Sequence, residues 1–174
     1  MIISVDIISQ PFSGQFLEKI YNISSPWNST EWTWIKFVND DFTEWCGEFR
    51  GLARDVVLSK KYNLILLLTS DYLYKLDITN GELIEYISQP QYRSISVTPL
   101  GDFIVADDYH IYTIETSLDE DKPLYAPIEM DNIRFHNWSN NKLLITCEEF
   151  LNWDKHVELE LDCETMKVCV KRKI

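Results

Sequence analysis

Ala53-Arg-Asp-Val-Val-Leu-Ser59, Lys60-Lys-Tyr-Asn63, Leu64-Ile-Leu-Leu-Leu-Thr-Ser70, Asp71-Tyr-Leu-Tyr-Lys-Leu-Asp-Ile78, Thr79-Asn-Gly-Glu82, Leu83-Ile-Glu-Tyr-Ile87 decides the fold. Four short apolar runs are separated by turn residues, which is the pattern of four strands joined by tight connections. Tyr72, Tyr74 and Leu76 alternate with Leu73, Lys75 and Asp77, the two-residue period of a strand. Asn80-Gly81 sits between two such runs and predicts a primed hairpin turn, because Asn and Gly tolerate positive φ.

The unit returns along the chain. Val56-Val57-Leu58 and Asn63-Leu64-Ile65 reappear 39 residues later as Ile95-Ser96-Val97 and Asp102-Phe103-Ile104, and Tyr74-Lys75-Leu76 reappears 38 later as Tyr112-Thr113-Ile114. A third copy begins at Ile133-Arg134-Phe135, continues through Lys142 to Ile145, and closes with His156 to Asp162 and Lys167 to Val170. There, Leu161-Asp162-Cys163 falls 85 residues after Leu76-Asp77-Ile78, and Val168-Cys169 falls 85 after Leu83-Ile84.

A four-stranded meander of roughly 40 residues resembles a β-propeller blade of the WD or quinoprotein kind, over residues 53–172. That resemblance implies an all-β chain of antiparallel repeats forming a small or incomplete propeller; an open twisted sheet and a β-sandwich are the alternatives. The expected organisation is a single domain 1–174, with blade-like repeats at 53–91, 92–131 and 132–174. Residues 1–52 hold an N-terminal strand and an aromatic hairpin from Trp32 to Phe49, possible material for half a fourth blade. Phe16, Leu17 and Ile20 recur at helical spacing and predict one short helix over Ser13 to Tyr21.

Composition narrows the function classes. The 174 residues carry 28 Asp and Glu against 16 Lys and Arg, a formal charge of -12. Between Asp102 and Glu164 sixteen acidic residues face four basic ones, while Lys167, Lys171, Arg172 and Lys173 make the tail positive. Such a field repels nucleic acid and anionic lipid and attracts basic partners. Met1 to Ile8 lacks the basic start and cleavage site of a signal peptide, and no uncharged apolar run is long enough to span a membrane. The four cysteines, 46, 147, 163 and 169, form no CxxC pair, which suits a reducing cytoplasm. Cys163 and Cys169 replace Ile78 and Ile84 of the first copy, which reads both as core positions.

No GxSxG, GxxxxGK[ST] or GxGxxG occurs, and His110, His136 and His156 lack metal-ligand spacing, so no enzyme chemistry, cofactor or metal is expected. His110 follows Asp107-Asp108-Tyr109 and is the one candidate base, leaving a hydrolase as an alternative. Trp27, Trp32, Trp34 and Trp45 could form a stacking platform for a small molecule or carbohydrate. The leading expectation is a binding protein whose acidic surface recognises a basic protein, as an immunity protein neutralises a toxin nuclease. Its expected contact residues are Glu148, Glu149, Phe150, Trp153 and Asp154, with Asp119, Glu120 and Asp121, because aromatic anchors among charges make binding hot spots.

Overall fold

The computed structural model describes residues 1–173, among which there are sixteen strands and no helix. The strands form four sheets of four strands each. The chain divides into two compact units, Met1–Pro90 and Gln91–Ile174.

In the first unit, β5 (Ala53–Ser59), β6 (Leu64–Thr69), β7 (Tyr72–Asp77) and β8 (Leu83–Ser88) follow one another as an antiparallel meander. All six residues of β6 are buried, which is what a continuous apolar run demands of a central strand. The edge strand β8 alternates half-buried and exposed residues.

The connection after β7 is not the expected two-residue turn. Gly81 alone adopts positive φ, its N–H bonds to Asp77 O at 2.8 Å, and the Asp77 carboxylate accepts the Thr79 N–H at 2.6 Å. The loop needs four residues because the Asp77 side chain caps it before the chain reverses at the left-handed glycine. The last copy repeats this loop. Met166 N bonds to Asp162 O at 2.9 Å, Asp162 Oδ1 accepts Glu164 N and Thr165 N, and Met166 takes the left-handed position.

The other sheet of this unit is a complete four-stranded one, with order β1-β3-β4-β2: β1 (Ile2–Ile8), β3 (Trp32–Asn39), β4 (Glu44–Arg50) and β2 (Leu17–Tyr21). β2 occupies the segment expected to be helical. It pairs parallel with β4, Leu17 against Trp45 and Tyr21 against Phe49. The helical spacing of Phe16, Leu17 and Ile20 misleads because Leu17 and Ile20 are exposed; the buried anchor is Tyr21, stacked on Phe49 at 4.2 Å. Backbone pairing to a strand more than twenty residues ahead outweighs the local pattern. Phe37, Phe49, Tyr72 and Tyr74 are fully buried and centre the core of this unit.

In the second unit, β9 (Ser94–Val97), β10 (Phe103–Ala106), β11 (Ile111–Ile114) and β12 (Asp121–Pro123) form one meander. β13 (Met130–Ser139), β14 (Lys142–Glu149), β15 (Asn152–Asp162) and β16 (Lys167–Lys173) form the other. Asn140 and Asn141 both have positive φ between β13 and β14, the primed two-residue hairpin expected instead at Asn80-Gly81. Leu143, Ile145 and Cys147 on β14 and Val157, Leu159 and Leu161 on β15 alternate inward and build the core with Ile104 and Ile111.

Two further readings change. Asp121, expected among the partner-contact residues, opens strand β12 and its carboxylate accepts the Tyr92 hydroxyl at 2.8 Å. Cys163 is buried but Cys169 is exposed, so Cys169 is not a core position. The repeat still holds there, because its counterpart Ile84 lies on an edge strand and is exposed too, while Ile78 matches Cys163 in being buried.

Candidate functional site

The second unit carries an open groove of about 730 Å³. Three chain segments wall it. The turn between β10 and β11 supplies Tyr109 and His110, the irregular run after β12 supplies Leu124, Tyr125 and Ile128, and the turn after β14 supplies Phe150. The local sequence explains each wall. Asp107 Oδ1 accepts the N–H groups of Tyr109 and His110 at 2.7 and 2.6 Å, a turn that turns both side chains over to the groove. Leu124 N bonds to Ile111 O at 2.8 Å, holding the segment after β12 against the sheet. Phe150 N bonds to Glu129 O at 3.1 Å, tying the tip of the β14–β15 hairpin to the segment that precedes β13. The Tyr109 and Phe150 rings meet edge to face at 6.0 Å.

The hairpin tip itself is unusually apolar. Leu151 is 79% exposed and sits at φ 61, a left-handed conformation that a Leu side chain disfavours. Phe150 is 39% and Trp153 68% exposed. Carboxylates surround them: the β13–β14 register sets Met130 opposite Glu149 and Asp131 opposite Glu148, and Glu129 lines the groove. Lys155 approaches Glu149 at 3.5 Å, and His156 Nδ1 lies 4.0 Å from Glu148 Oε1, on the edge of a smaller cavity of about 270 Å³.

The structure thus gathers Glu148, Glu149, Phe150, Trp153 and Asp154 on one hairpin, and it adds Tyr109, Leu124, Tyr125, Ile128 and Leu151, which the sequence reading missed. Asp119 and Glu120 are exposed on the loop leading to β12, whereas Asp121 is half-buried and serves as an internal acceptor for Tyr92. His110 Nδ1 lies 3.8 Å from Asp107 Oδ1. Asp107 Oδ2 also accepts the Tyr112 hydroxyl at 3.0 Å, and burial together with that bond pushes the Tyr112 phenol up to about 12. Among the described residues no cluster of three or more His, Cys, Asp and Glu could hold a metal. No helix of the described residues is long and apolar enough to cross a membrane.

The tryptophans of the first unit divide differently. Trp45 stacks on Phe37 with ring centroids 4.1 Å apart, Arg50 covers the Trp32 ring at 3.7 Å, and Trp34 is half-buried. Trp27 is 76% exposed. The four rings are engaged to different degrees rather than uniformly presented.

No family model and no curated protein matches the sequence. Solved structures are similar at low identity. The N-terminal domain of Nup159 is 13% identical, with a TM-score of 0.46 over 71% of this chain and 35% of that one. Kluyveromyces lactis Hsv2 is 12% identical, with a TM-score of 0.43 over 82% and 55%. A protein of unknown function from Bacteroides caccae is 16% identical, with a TM-score of 0.41 over 81% and 53%. The chain therefore spans between about a third and a little over half the length of these structures.

Proposed function

We propose that this chain is a binding protein that recognises a basic protein partner through the β14–β15 hairpin and the adjoining groove of its second unit. The observation that carries the reading is the hairpin tip: Phe150, Leu151 and Trp153 stand exposed between Glu148, Glu149 and Asp154. Stability alone favours neither an exposed leucine in a left-handed conformation nor three large apolar side chains at one tip. Contact with a partner supplies a reason for both. Sixteen acidic against four basic residues between Asp102 and Glu164 supply the matching field, which speeds association and loses strength with salt. An inhibitor that covers the nucleic-acid site of a toxin nuclease in the cytoplasm would meet this description.

The test is affinity capture on the immobilised chain, comparing wild type with a Glu148→Lys, Glu149→Lys, Asp154→Lys variant. The reading expects identified captured proteins to be predominantly basic, to elute with salt and to be lost with the variant. An unbiased set, or one unchanged by the charge reversal, would overturn it.

The His110–Asp107 approach at the groove favours one second reading, a hydrolase with His110 as base. An activity screen of wild type and His110→Ala decides it: turnover lost in the variant supports it, and no turnover sets it aside.

A further inference from the structure

We propose that the groove is the socket for an apolar or aromatic side chain of the basic partner, with the partner's flanking Lys or Arg residues pairing with the carboxylates around it. This inference rests on the basic-partner reading above and adds what the groove holds.

Its walls argue for an apolar occupant. Tyr109 and Phe150 meet edge to face and make a rigid corner, and Leu124, Ile128 and Met130 complete an apolar lining. A space of about 730 Å³ is far larger than one water site and within the range of ligand pockets. Tyr125, also on the groove, is 86% exposed, so its ring is largely uncovered until something fills the space beside it.

The charges argue that the occupant arrives on a basic segment. Glu129 lines the groove, Glu149 directly precedes Phe150, and Asp107 and Asp108 directly precede Tyr109. Three of these carboxylates already meet a basic side chain: Arg93 lies 3.4 Å from Asp108, Lys155 3.5 Å from Glu149, and His110 3.8 Å from Asp107. The stretch from Asp102 to Glu164 that carries this rim holds sixteen acidic residues against four basic ones, so its field attracts a basic segment and repels an acidic one.

The test uses the full chain and three fluorescein-labelled peptides, read by anisotropy at low and high salt. One carries a central Phe flanked by lysines, one a central Ser flanked by lysines, and one a central Phe flanked by glutamates. Burying one aromatic ring is expected to make the Lys/Phe peptide bind about tenfold tighter or more than the Lys/Ser peptide. Ala126→Trp, which fills the groove, is expected to remove that difference while leaving the weak, salt-sensitive binding of both lysine peptides. Tyr125→Ala, at an exposed ring, is expected to reduce the difference without touching the fold.

Equal binding of the two lysine peptides, indifferent to both variants, would overturn the socket and leave the basic-partner reading standing. Binding of the Glu/Phe peptide as tight as that of Lys/Phe would overturn the charge half of the inference. Failure of both lysine peptides to bind would overturn the basic-partner reading and the socket with it.

Discussion

The ring of Tyr109, carried by the turn between β10 and β11, meets the ring of Phe150, at the tip of the β14–β15 hairpin, edge to face with centroids 6.0 Å apart and planes at 83°. Two sheets of the second unit are thereby linked at the groove by one aromatic contact. Offset and edge-to-face pairs contribute beyond their buried area by about 0.5–1.5 kcal/mol. A double-mutant cycle with Tyr109→Ala and Phe150→Ala, measured by urea denaturation, is expected to give a coupling energy in that range. Additive losses would mean that the two rings do not support each other in solution.

Leu151 separates stability from function. Its left-handed backbone costs a bulky side chain about 1 kcal/mol, and its exposed side chain returns little by burial. Leu151→Gly is expected to raise the unfolding free energy by roughly 0.5–1 kcal/mol and to weaken partner capture at the same time. A variant that gained stability and lost no binding would remove Leu151 from the contact surface.

Asp71 gives the first unit an acid dependence. Burial by itself would raise this carboxyl, but the Ser70 hydroxyl and the Ser29 N–H, each donating at 2.7 Å, together with the Arg50 charge hold it below the usual range. A folded-state value below the unfolded one means that the stabilisation is fully present above about pH 4 and is lost as pH falls through the folded value. Asp71→Asn is therefore expected to be less stable than wild type at about pH 7 and to approach it at about pH 3, by urea denaturation. A gap independent of pH would show that Asp71 acts only through packing.

The sequence made the strands and their spacing legible because one buried central strand, Leu64 to Thr69, repeats its apolar character 39 residues on at Phe103 to Ala106. The offset of 85 is equally physical: Asp77 and Asp162 cap the same loop, and the left-handed residue that follows is Gly81 in one copy and Met166 in the other. Misreadings arose where a local pattern had to stand for a distant partner. Leu17 and Ile20 keep helical spacing, yet their segment is fixed by parallel pairing with β4. Cys169 corresponds to Ile84 in the repeat, yet both are exposed, since alternation in an edge strand does not say which face is covered. Half of the candidate site, the carboxylates and rings from Glu148 to Asp154, could be read because they are contiguous on one hairpin. The groove could not, since its walls come from 109–110, 124–130 and Phe150. The one hint was the run Pro123-Leu-Tyr-Ala-Pro-Ile128, apolar, free of strand alternation, and lying between acidic residues.

Recognition of a basic ligand by the second unit is tested most directly by amide NMR of the full chain titrated with the lysine-flanked Phe peptide at low salt. The expected perturbations concentrate at residues 107–110, 123–131 and 148–156 and fade as salt is added. Perturbations centred on the first unit, or none at any ratio of peptide to protein, would contradict the account.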